Sequence, residues 1–99
     1  MPERNSTNKG LALDLQQLKT FQTIATTGSF TQAARVLGYS QSNVTHQIQT
    51  LEQRLGLALI ERERFSKGVV ITRAGRRVLQ HSERILELAQ KLFSREAGS

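Results

Sequence analysis

Gly28, Gly38 and Gly56 cut the first half of this chain into segments whose apolar residues recur at helical, not alternating, spacing. No other feature constrains the fold as tightly, because it predicts three helices in quick succession with almost no chain to spare between them. Leu11 to Thr27 carries Leu15, Leu18, Phe21, Ile24 and Ala25 on one face, with Asp14 suited to cap the helix and Gly28 to stop it. Ser29 can cap a short second helix with Phe30, Ala33, Ala34 and Leu37 facing inward. The two alanines there allow another helix to come close. Gly38 supplies the positive-φ position of a tight turn. Ser40 caps a third helix that runs to Leu55 and ends at Gly56, with the stripe Val44, Ile48, Leu51 and Leu55.

After Gly56 the period changes. "LALI" (57–60) and "VVI" (69–71) are short β-prone runs, and the charged "ERERFSKG" between them contains the turn formers Ser66 and Gly68. This predicts a hairpin with its tip near Phe65–Gly68. Thr72 can cap a last helix over Arg73 to Arg95. The expected organisation is a lead-in over 1–12, a unit of three helices and a hairpin over 13–72, a long helix over 73–95 and a tail over 96–99. The chain is expected to be mainly α.

Bulk properties remove several classes of function. There is no Cys, so neither a disulfide framework nor a thiolate metal site is available. His46 and His81 are too few and too far apart in sequence to suggest a metal centre, and no cofactor is expected. No apolar run approaches the ~20 residues of a membrane span. Residues 1–10, "MPERNSTNKG", lack the apolar core of a signal peptide. The expectation is a soluble protein of the cytoplasm with no membrane partner.

The 99 residues carry 14 Lys+Arg against 8 Asp+Glu, a formal net charge of +6. Such an excess suits a polyanion, most often nucleic acid, although it also serves solubility. The charge is unevenly spread. The hairpin region and the last helix each hold a basic surplus, whereas Ser40 to Gly56 balances Glu52 against Arg54. The first turns of the third helix display Gln41, Ser42, Asn43, Thr45, His46, Gln47 and Gln49 instead.

Two helices joined through Gly38, the second with a neutral polar front, form a helix-turn-helix pattern. With the stripe from Val44 packed inward, the opposite face near the N-terminus presents Ser42, His46 and Gln49, flanked by Asn43, Thr45 and Thr50. Helices of this kind enter the major groove and meet base edges with their first turns. Gln and Asn can pair bidentately with adenine, and Ser or Thr with several bases. Phosphate attraction is blind to sequence, while hydrogen bonds to base edges are not. A neutral helix can therefore read while basic residues elsewhere hold. The candidate holders are Arg35 near the turn, and Arg62, Arg64 and Lys67 on the hairpin. The competing reading of the polar front is a merely solvated helix face.

"LDLQQLKTFQTIATTGSFTQAARVLGYSQSNVTHQIQTLEQRLGLALIER", followed by "VVITRAGRRVL", resembles the N-terminal DNA-binding domain of LysR-type transcriptional regulators. The resemblance rests on Leu15, Leu18 and Phe21, on Gly28-Ser29-Phe30-Thr31, and on Ala33-Ala34. It continues through Ser40-Gln41, Gln47-Ile48, Leu51-Glu52, Leu55-Gly56 and Glu61-Arg62, to Thr72, Ala74 and Gly75. It implies a winged helix-turn-helix followed by a linker helix that dimerises. Gln41, Ser42, Asn43, Thr45 and His46 match the family's major-groove positions. Thr31, Gln32 and Arg35 fall where its second helix approaches phosphates. Arg62, Arg64 and Lys67 fall on its wing, against the backbone or minor groove.

The implied partners are double-stranded operator DNA and a second copy of the chain, with a tetramer as the higher assembly of full-length members. A small-molecule effector would act only through a C-terminal domain missing here, which favours reading the chain as a fragment. The sequence also departs from the family. Many members carry Pro where this chain has Ser42 or Asn43, and Arg where it has His46, and the wing tip looks longer. An imidazole at a base-facing position predicts stronger DNA binding as pH falls towards 6, if contact favours the charged form.

From Ala74 onward, Val78, Ile85 and Leu92 form one stripe, with Ser82 and Ala89 between them. Leu79, Leu86 and Phe93 form a second, widened by Leu88. A face this broad can serve the parent domain and a partner helix together. Leu86→Asp is expected to convert a dimer into monomers. Two-fold symmetry would present two reading helices to an interrupted palindrome. An enzyme is not expected, since no Ser-His-Asp set and no P-loop can be placed. A winged helix that binds protein or RNA is the alternative, but RNA's narrow major groove would not admit the third helix, and no aromatic stacking platform is visible.

Overall fold

The structure is a computed structural model and describes residues 13–61 and 68–94. Among the described residues four helices follow in chain order: α1 (Leu15–Thr27), α2 (Phe30–Leu37), α3 (Gln41–Leu55) and α4 (Arg73–Phe93). Each starts at the residue whose side chain can accept from the first turn. Asp14 accepts from Gln16 N, Ser29 from Gln32 N, Ser40 from Asn43 N and Thr72 from Gly75 N. An orphan N–H is thereby satisfied at every helix start, a contribution of about 1 kcal/mol per cap. At the junction of α2 and α3, Gly38 adopts φ 77°, and its N–H and that of Tyr39 both return to the Ala34 carbonyl. That left-handed step turns the chain within three residues, so α3 starts directly beside the end of α2.

α1 is the hub and packs against each of the other three helices, while α2 also packs against α3. The core comprises Leu18, Phe21 and Ile24 from α1, Ala33 and Ala34 from α2, and Val44, Ile48 and Leu51 from α3, closed by Leu59 and Ile60. The small Ala33 and Ala34 are buried where α2 meets its neighbours, as their volume permits.

The β-prone runs meet as one antiparallel bridge, Ile60 with Ile71, rather than as long strands. Glu61 N donates to Val70 O at 2.9 Å and Thr72 N to Leu59 O at 3.0 Å. The expected hairpin tip lies largely outside the described residues. Two contacts bind its base to the helices. The Glu52 carboxylate of α3 accepts from Leu59 N at 2.9 Å and Ile60 N at 3.3 Å. Thr72 Oγ1 donates to Ala58 O at 2.6 Å while capping α4.

α4 ends at Phe93, with Ser94 as its C-cap, whereas the periodicity extends to Arg95, which is outside the described residues. Its inner side carries buried Gly75 and Ser82. A Cβ at position 75 would collide with the Leu59 carbonyl oxygen and lie 2.6 Å from Ile71 Cγ2. Only glycine lets α4 leave the hairpin this closely. No helix is long and apolar enough to cross a membrane among the described residues.

Candidate nucleic-acid interface

The face of α3 opposite its buried stripe is where the reading residues were expected. Gln41, Ser42, Asn43, His46 and Gln49 are exposed there, and Thr45 is half-buried at the edge. Val44, Ile48 and Leu51 are fully buried on the other side, so the helix cannot rotate this front inward without opening the core. Thr31, Gln32 and Arg35 are exposed on α2. Arg62, Arg64 and Lys67, the expected wing contacts, lie outside the described residues.

The polar front is internally connected. Thr31 Oγ1 donates to Gln41 Oε1 at 3.0 Å, joining the start of α2 to the start of α3. The hydroxyls of Ser40 and Ser42 are 3.3 Å apart. Gln47 Nε2 donates to Asn43 Oδ1 at 2.6 Å, and Thr20 Oγ1 of α1 donates to Gln47 Oε1 at 2.6 Å. Thr20 is fully buried, so this line runs from the core to the front. The sequence marks Gln47 as part of the polar front without a reading role, and gives Thr20 no role at the site. The i,i+4 spacing of Asn43 and Gln47 was an available signal; nothing local pointed to Thr20.

The expected dimerisation residues divide into two sets. Val78, Leu79, Ile85 and Leu86 pack partly buried against the core of their own domain. Ala89 is half-buried. Leu92 and Phe93 stand 85% and 84% exposed, and Leu88 is exposed as well. Beside them runs an open groove between α1, at Leu15, Gln16 and Lys19, and the far part of α4, at Leu86, Gln90 and Phe93. Among the described residues, the apolar surface of α4 that stays exposed is therefore its distal end.

A tri-helical core with an exposed polar third helix, closed by an antiparallel bridge and followed by a long helix, defines a helix-turn-helix domain of the winged class. The family model for bacterial regulatory helix-turn-helix proteins of the lysR family matches residues 15–76. The chain belongs to the LysR family. It is 47% identical over 81 residues to a probable RuBisCO transcriptional regulator of Thalassiosira pseudonana, covering 82% of this chain and 26% of that protein. The chain thus spans about a quarter of the length of the curated relatives it matches.

Among solved structures, the CbnR_DBD–DNA complex matches with TM-score 0.78 and 38% identity, covering 87% of this chain and 97% of that one. The BenM_DBD complex with catB site 1 DNA matches with TM-score 0.76 and 32% identity, covering 82% and 85%.

Proposed function

We propose that this chain is the operator-binding part of a transcriptional regulator and reads double-stranded DNA in sequence-specific fashion. The observation that carries the proposal is the neutral polar front of α3, exposed on a scaffold similar to two domains crystallised with DNA. Gln41, Ser42, Asn43, Thr45, His46 and Gln49 meet base edges in the major groove. Thr31, Gln32 and Arg35 approach phosphates, and Arg62, Arg64 and Lys67 track the backbone or minor groove. The role is binding rather than catalysis, and the cytoplasm is where such a regulator acts.

The site-bearing unit works as a homodimer joined through α4. The exposed Leu92 and Phe93 support that reading, with Val78, Leu79, Ile85, Leu86 and Ala89 continuing the face toward the domain. Two-fold symmetry then matches two half-sites.

Binding selection from a randomised duplex pool tests the proposal. It predicts enriched inverted half-sites whose affinity exceeds that for random duplex at both low and high salt. Equal binding to every duplex, or a preference for RNA over DNA, would contradict it.

A further inference from the structure

The amide of Asn43 is turned one way by its partners. Its Oδ1 accepts from Gln47 Nε2, and Gln47 Oε1 accepts from Thr20 Oγ1. Thr20 Oγ1 also accepts from Gln16 Nε2 at 3.4 Å. A hydroxyl has a single hydrogen to give. In the structure that of Thr20 goes to Gln47, whose oxygen faces the core and whose N–H2 faces the front. This N–H2 then engages the Asn43 oxygen, and Asn43 presents N–H donors to whatever approaches α3. The anchor is firm because Thr20 is fully buried in α1. Gln41 differs, since its oxygen is met by Thr31, whose exposed hydroxyl can rotate.

We infer that Gln47 and Thr20 are positioning residues that fix Asn43 as a hydrogen-bond donor, so that it selects bases presenting acceptors, guanine before thymine. The inference rests on the DNA-reading role proposed above and adds which chemistry one reading residue seeks. In the major groove guanine offers two acceptors, N7 and O6, thymine offers O4, and adenine offers N7 beside its N6–H2 donor, so guanine exceeds adenine by one acceptor. A bidentate pair with adenine needs the amide oxygen and nitrogen side by side toward the base. Here the oxygen is turned to Gln47, so the adenine pairing expected of asparagine is disfavoured. Cytosine presents N4–H2, a donor facing donors.

The test is duplex selection in parallel for the unsubstituted chain, N43A, Q47E, Q47A and T20V, read as base frequencies within each operator column. N43A, a truncation at an exposed position, identifies the Asn43 column as the one it flattens. In that column the unsubstituted chain should favour guanine over adenine and cytosine by roughly three- to tenfold, the range of one neutral hydrogen bond. Q47E replaces a donor by a group that only accepts. It should hold Asn43 through its N–H2, turn its oxygen outward and move the preference to cytosine and adenine. Q47A and T20V release the amide and should admit adenine.

Because Q47E also adds negative charge near DNA, the readout is the ratio within the column, not affinity. A merely structural role of Gln47 would change stability and leave that ratio alone. An unchanged column in Q47E and Q47A overturns the inference while sequence reading stands, as does an N43A profile identical to the unsubstituted one. Enrichment of no sequence by the unsubstituted chain overturns the DNA-reading role along with it. If the position-47 and position-20 variants fail to fold by circular dichroism, N43D decides. It presents oxygen outward from an exposed position, so a shift to cytosine supports the inference and retained guanine overturns it.

Discussion

Glu52 and Gly75 illustrate how single residues tie the reading helix to the rest of the domain. Glu52 holds two backbone N–H groups at the start of the hairpin, so its carboxylate fixes the end of α3 relative to Leu59 and Ile60. Removing it leaves those donors to compete for water in a partly buried place. Glu52→Ala should destabilise the domain by about 1.5–3 kcal/mol in urea unfolding, the range for hydrogen bonds to a charged group. Gly75 has a different task, since a side chain there meets backbone rather than a movable neighbour. Gly75→Ala should cost about 1–3 kcal/mol through overpacking, although alanine is the better helix former. A gain in Tm for Gly75→Ala would show that α4 can slide away from Leu59.

Between elements, the caps set where each helix begins and therefore which side chains reach the front. Ser40 is the most consequential, because its hydroxyl accepts the Asn43 N–H and fixes the first turn of α3. Ser40→Ala should cost about 1 kcal/mol and weaken specific DNA binding more than non-specific binding. Ser29→Ala should match it in stability, with a smaller effect on specificity. Competition assays with operator and random duplex distinguish the two. Caps and glycine stops were legible in the sequence because each acts within four residues of itself. Asp14, Ser29, Ser40 and Thr72 all cap as their chemistry suggests. The stripe on α3 was legible for the same reason.

What periodicity could not yield was tertiary. Thr20 meets Gln47 across 27 positions, and α1's pattern marks Thr20 only as a polar residue beside Phe21. The broad face of α4 was visible, but not its division into a proximal part spent on the domain's own core and a distal part left open. That division follows from where α1 begins, since Leu15, Gln16 and Lys19 face the far part of α4.

For the molecule as a whole, the division of α4 changes how dimerisation is tested. Leu86→Asp attacks a residue that packs on the core, so lost assembly could reflect lost folding. Leu92→Asp combined with Phe93→Asp places charge on two residues that are largely exposed. The pair should keep the far-UV helix signal and a cooperative urea transition, now independent of protein concentration, while light scattering reports the monomer mass. Unchanged mass would move the dimer contact off the distal end of α4.

Reading and holding fall to different residues of one small domain under the proposed function, and salt separates them. The direct measurement is affinity for operator and random duplex across a salt series, for the unsubstituted chain, Ser42→Ala/Asn43→Ala and Arg35→Ala. The polar double variant should lose discrimination while keeping its salt slope. Arg35→Ala should weaken both duplexes alike and reduce the slope by roughly 0.9, one phosphate contact. The opposite pattern, with discrimination lost in Arg35→Ala and retained in the α3 variant, would mean that the front of α3 does not read the operator.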